Sequence, residues 1–117
     1  MNDSLEEKYK QDIMNIEKVE ESLDFMRQDA FRKTDMMIEE LLYYTRNQSS
    51  NELYPIIHQM NANVEEFNLY LINRIHRLQD EKEEITAKYR KELEQLEEER
   101  KKEKSEGFFF FFFFFFF

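Results

Sequence analysis

Apolar residues fall seven apart along the first part of the chain, at Tyr9, Ile16, Leu23, Ala30, Met37 and Tyr44. The beat stops at the polar stretch Asn47-Gln48-Ser49-Ser50-Asn51 and resumes at Ile57, Val64, Leu71, Leu78 and Ile85. A 3.5-residue repeat keeps an apolar stripe on one side of a helix, and such a stripe has to be covered by another helix. The pattern therefore predicts two long helices. Helix 1 spans about 4–47, with Asp3 or Ser4 as its cap and Glu6 and Glu7 at the positive end of its dipole. The turn covers about 48–53. Pro55 restricts the next start, since proline fits only the first turn of a helix, and helix 2 runs over about 54–104. A short link between long helices makes them antiparallel neighbours. The predicted fold is all-α: an αα-hairpin or coiled coil over residues 1–106, forming part of a four-helix or larger bundle.

The bundle is implied by apolar residues off the stripe. On a helical wheel Phe25, Met36 and Tyr43 lie on the side of helix 1 away from Leu23, Ala30 and Met37. Leu69, Tyr70 and Ile72 lie off the Val64–Leu71–Leu78 line. One neighbouring helix cannot cover both sides of another, so a second interface is expected around residues 25–44 and 67–75. The side chains expected to meet a partner are Phe25, Met26, Met36, Met37, Leu41 and Tyr43 on helix 1, with Val64, Phe67, Leu71 and Leu78 on helix 2. From Asp80 to Glu106 the sequence is mostly Glu, Lys and Arg, with pairs such as Glu84–Lys88 and Glu97–Lys101 at helical spacing. This part reads as a thin stem whose seam ends at Leu96.

Composition narrows the function class. Residues 107–117 are Gly107 and ten consecutive phenylalanines. A ten-residue helix spans about 15 Å, half a bilayer core, so the run makes no membrane-spanning anchor. It reads as an artefact or an engineered addition and carries no functional argument. Without it, roughly 36% of the chain is apolar and roughly 40% charged, which suits a narrow buried stripe and not a thick core. One glycine and one proline in 117 residues argue against sheets. The net charge of −9 disfavours nucleic acid and anionic membranes. The polar, acidic opening Met-Asn-Asp-Ser-Leu-Glu-Glu does not read as a signal peptide, which points to a cytoplasmic protein or one exported as part of a complex.

No residue set points to catalysis, a cofactor or a metal. Cysteine is absent, and the two histidines, His58 and His76, stand eighteen apart with no Glu-x-x-His partner motif. No glycine precedes Gly107, so no phosphate-cradling loop exists. The expected activity is contact with another helical protein or with a second copy of the chain.

The opening Glu-Glu-Lys-Tyr-Lys-Gln-Asp-Ile (6–13), the short polar turn and the charged run Glu97-Glu98-Glu99-Arg100-Lys101-Lys102 give the chain a family texture. It resembles the small helical-hairpin proteins of bacterial type VII secretion, and more narrowly the WxG-like accessory partners of LXG toxins. The resemblance covers residues 1–106 and implies a chaperone or targeting partner that packs side by side on the helical N-terminal domain of a toxin, alone or with a second small hairpin protein. The chain departs from the pattern in lacking Trp-x-Gly and a Tyr-x-x-x-Asp/Glu signal. Its two Phe-x-x-x-Asp spacings, Phe25–Asp29 and Phe31–Asp35, lie in helix 1 and not towards the C-terminus. The export signal is therefore expected on the partner. The alternative is a self-associating structural coiled coil.

Overall fold

The computed structural model describes residues 2–47 and 50–116, with side chains for residues 4–47 and 51–104. It is all-α: two long antiparallel helices pack against each other, α1 (Asn2–Tyr44) and α2 (Leu53–Phe116), joined through a 3-10 turn at Ser50–Glu52. Gln48, Ser49 and the side chain of Asp3, one of the two expected caps, lie outside the described residues.

The first helix ends at Tyr44, earlier than the expected 47. At its end Thr45 turns both its donors on one carbonyl. Its N–H donates to Leu41 O at 3.1 Å, and its hydroxyl donates to the same oxygen, satisfying a carbonyl at the helix end. Pro55 is the third residue of α2, where no intrahelical partner awaits a backbone N–H. The second helix continues well beyond the expected 104, to Phe116. One interior glycine costs about 1 kcal/mol of helix propensity, and Gly107 alone does not end it.

The chain packs as two compact units, residues 14–81 and the remainder. In the 14–81 unit the α2 stripe lies where the seven-residue beat puts it: Val64 and Leu71 are buried, and Ile57 and Leu78 are half-buried. The α1 stripe does not. Past Ala30 the covered line runs through Thr34, Ile38, Leu41 and Thr45, while Met37 and Tyr44 are 57% and 78% exposed. A line drawn every seven residues drifts by about 20° per heptad on a straight helix. The steps of four from Ala30 to Thr34 and from Thr34 to Ile38 bring the seam back.

In the other unit, Tyr9 stacks on Tyr89 with ring centroids 4.3 Å apart and planes 14° from parallel. Thr86 Oγ1 donates to the Lys82 carbonyl at 2.8 Å, so the Tyr9 hydroxyl, 3.2 Å away, donates to Thr86. Beside the stack is a cleft of about 90 Å³ whose walls include Leu5, Asp12 and Ile85. From Glu97 to Lys104 every side chain is exposed. Among the described residues no helix is long and apolar enough to cross a membrane.

Candidate protein-binding faces

The candidate site in this molecule is a set of surfaces on the 14–81 unit. Among the described residues only Leu53, Val64 and Leu71 are buried apolar side chains, whereas the large apolar side chains left exposed all lie between Met14 and Tyr70. Two helices cannot do better, because each covers only one stripe of the other. Scattered surface hydrophobes are ordinary; here they are large and fall into rows.

The first row follows the outer side of α1, about 180° from its seam: Met14, Phe25, Met36 and Tyr43. Phe25 is 68% exposed. Arginines border this row. Arg32 Nη1 lies 3.7 Å from Met36 Sδ, and the Arg46 guanidinium sits 4.6 Å above the Tyr43 ring. The Tyr43 ring also meets Tyr44 edge to face, at 5.3 Å.

The second surface is a groove between the helices. Its walls are Ala30, Thr34 and Met37 from α1 and Met60, Asn63, Val64 and Phe67 from α2, around about 290 Å³ of open space. Its two edges continue through exposed apolar residues: Val19, Met26 and Tyr44 on α1, Ile56 and Tyr70 on α2. The opposite side of the hairpin carries a polar cluster. There Arg27 bridges the helices, its Nη2 donating to Asp24 Oδ1 at 2.9 Å and its Nη1 to Asn68 Oδ1 at 3.3 Å. Gln28 adds a 3.0 Å bond to the other Asp24 oxygen.

Of the side chains expected at an interface, Phe25, Met36 and Tyr43 are exposed on the outer row, and Met26, Met37 and Phe67 are exposed along the groove. The other four belong to the hairpin's own seam. Val64 and Leu71 are buried in it, and Leu41 and Leu78 are half-buried, so they hold the two helices together before any partner arrives. A single-helix wheel cannot separate a seam residue from its flank, because both fall within the same broad apolar arc. Ile56, Val19 and Tyr44 were missed as edge residues; for Val19 and Tyr44 the available signal was their seven-residue spacing to Met26 and Met37.

Asp29, the acid of one Phe-x-x-x-Asp spacing, is occupied by a local clamp. Lys33 Nζ lies 2.8 Å from Oδ2 and Arg32 Nη2 lies 2.6 Å from Oδ1. Hydrogen bonds from Lys33 and then Arg32 hold its carboxyl below the ordinary 3.8. A carboxyl with a lowered folded-state value stabilises above its unfolded value, and that contribution fades as pH falls through the folded one. Asp29→Asn is therefore expected to lower the melting temperature slightly at neutral pH and leave it unchanged in acid well below 3.8, as read by circular dichroism melts at both pH values. An equal loss at both would mean the clamp contributes nothing through charge.

Neither histidine joins a cluster. His58 and His76 are both exposed on α2, and among the described residues no group of three or more His, Cys, Asp or Glu is placed to hold a metal ion. Comparison of the chain with protein-family models, with curated proteins and with solved structures finds no match.

Proposed function

We propose that the protein is a non-catalytic interaction module whose 14–81 unit packs side by side on the helices of another protein. The observation that carries this is the imbalance within that unit: among the described residues, three buried apolar side chains against rows of exposed Phe, Met and Tyr. Fully burying one such side chain contributes about 1.5–3 kcal/mol, so covering a row supplies the energy the bare hairpin lacks. Methionine suits such a surface because its unbranched thioether fills irregular gaps. The outer row of α1, with Arg32 and Arg46 at its borders, fits a partner helix whose apolar stripe is flanked by carboxylates.

The resemblance of residues 1–106 to the accessory partners of LXG toxins supplies the identity of the partner: the helical N-terminal domain of a type VII secreted toxin. In this reading the chain acts as a chaperone or targeting partner, works in the cytoplasm and leaves the cell, if at all, within the complex. Co-expression with such a toxin domain tests it. The expected result is a stable complex in which the domain is more soluble and more protected from proteolysis than alone. A chain that assembles only with itself would leave the second reading, a structural coiled-coil scaffold.

A further inference from the structure

We propose that the groove side of the 14–81 unit is covered by a second copy of the same chain, packed antiparallel about a two-fold axis to give a four-helix bundle. The α1 edge of the groove and the line through Tyr70 beyond its other edge carry the inference, because their spacing reads the same in both directions and their residues complement themselves. On α1 the exposed edge is Val19, Met26, Met37 and Tyr44, with steps of 7, 11 and 7. A row that is symmetric about its midpoint meets its own copy in an antiparallel pairing, Met26 against Met37 and Val19 against Tyr44. Glu52 at the end of the 3-10 turn and Gln59, Tyr70 and Arg77 on α2 have the same 7, 11 and 7 steps. Their symmetric pairing sets Gln59 against Tyr70 and the carboxylate of Glu52 against the guanidinium of Arg77 at each end.

The two midpoints agree with each other. The α1 row is centred between Phe31 and Arg32 and the α2 row between Val64 and Glu65. Those positions face each other in the hairpin, since the Arg27–Asn68 bond sets residues summing to 95 side by side and the midpoints sum to 96. One axis therefore satisfies both helices. A two-fold interface requires this self-complementarity of one patch. Glu52 and Arg77 are both exposed, and among the described residues neither is in an ion pair. A parallel pairing about an axis along the helices loses the Glu52–Arg77 match. The outer row of α1 stays open, so a dimer leaves it free for another protein.

The test uses the full chain, which has no native cysteine. M26C and M37C are made separately and treated with a short bis-maleimide linker. The expected result is a covalent dimer from the mixture of the two, at least tenfold more abundant than from either alone. Charge reversal gives the second readout. E52R alone and R77E alone should each weaken self-association, by sedimentation, at least tenfold, while their equimolar mixture recovers it. Both variants alter exposed side chains, so loss of folding does not imitate the result. Equal cross-linking in the mixture and in the single variants, or a mixture of E52R and R77E no tighter than its components, overturns the proposal. So does a full chain that stays monomeric at tens of micromolar. None of these outcomes bears on the outer row, so the interaction-module reading stands or falls separately.

Discussion

Leu71→Ala is expected to abolish the cooperative melt of the free hairpin. Leu71 is the most deeply buried apolar side chain among the described residues, at 2% exposure, and it sits in the seam one heptad from Val64. Truncating a buried leucine to alanine costs about 2–5 kcal/mol, the sum of lost transfer energy and the cavity left behind. Larger domains absorb such a loss. A hairpin with three buried apolar side chains among its described residues does not, because the net stability of so small a core is about 3–5 kcal/mol at best. The far-ultraviolet circular dichroism of Leu71→Ala should lose its sigmoidal transition and much of its helical signal at 25 °C. Leu69→Ala, two residues away, is the control. Leu69 is exposed, so its truncation leaves no cavity, and alanine is the better helix former. The melt should survive it. If both variants melt alike, the seam described between α1 and α2 is not what holds the unit together.

Why Leu71 keeps the place in the seam that the seven-residue beat gives it, and Met37 does not, follows from helix geometry. On α2 the beat Ile57–Val64–Leu71–Leu78 stays within the covered stripe, because the drift of a seven-residue line is small over three heptads. The α1 beat is longer, and by Tyr44 the accumulated drift of about 100° has carried it out of the seam onto the groove edge. The turn was legible because Asn47, Ser50 and Asn51 compete locally for backbone hydrogen bonds, as was the start of α2 because proline restricts it. The exact end of α1 was not, since the Thr45–Leu41 bond found there is one that a mid-helix threonine makes equally well, as Thr86 does to Lys82. The outer row was legible as apolar residues on the wrong side of the wheel. The groove was not, because a groove exists only once two particular helices are set side by side in a particular register, here marked by Arg27 and Asn68.

That division also sets how the binding faces are separated by mutation. If the chain binds a toxin N-terminal domain as proposed, the triple change Phe25→Glu, Met36→Glu and Tyr43→Glu is expected to remove that binding while leaving the hairpin intact. All three side chains are exposed in the free chain, so glutamate replaces nothing that α2 covers. In a complex each would be a desolvated anchor, and truncating such an anchor costs about 2 kcal/mol or more. Each 1.4 kcal/mol is tenfold in affinity, so even partial use of the row gives a loss of roughly a hundredfold or greater. The introduced carboxylates act in a second way. They neutralise the favourable setting of Arg32 and Arg46 and repel the acidic flanks expected on a partner helix. Isothermal titration against the toxin domain measures the loss, and circular dichroism checks that helicity is kept. The M26C–M37C cross-link provides the internal control, since the outer row lies away from the groove edge where those methionines stand. A triple variant that still cross-links but no longer binds the domain assigns the outer row to the partner and the groove to self-contact. Unchanged binding to the domain would show that the partner uses another surface, and the outer row would lose its role.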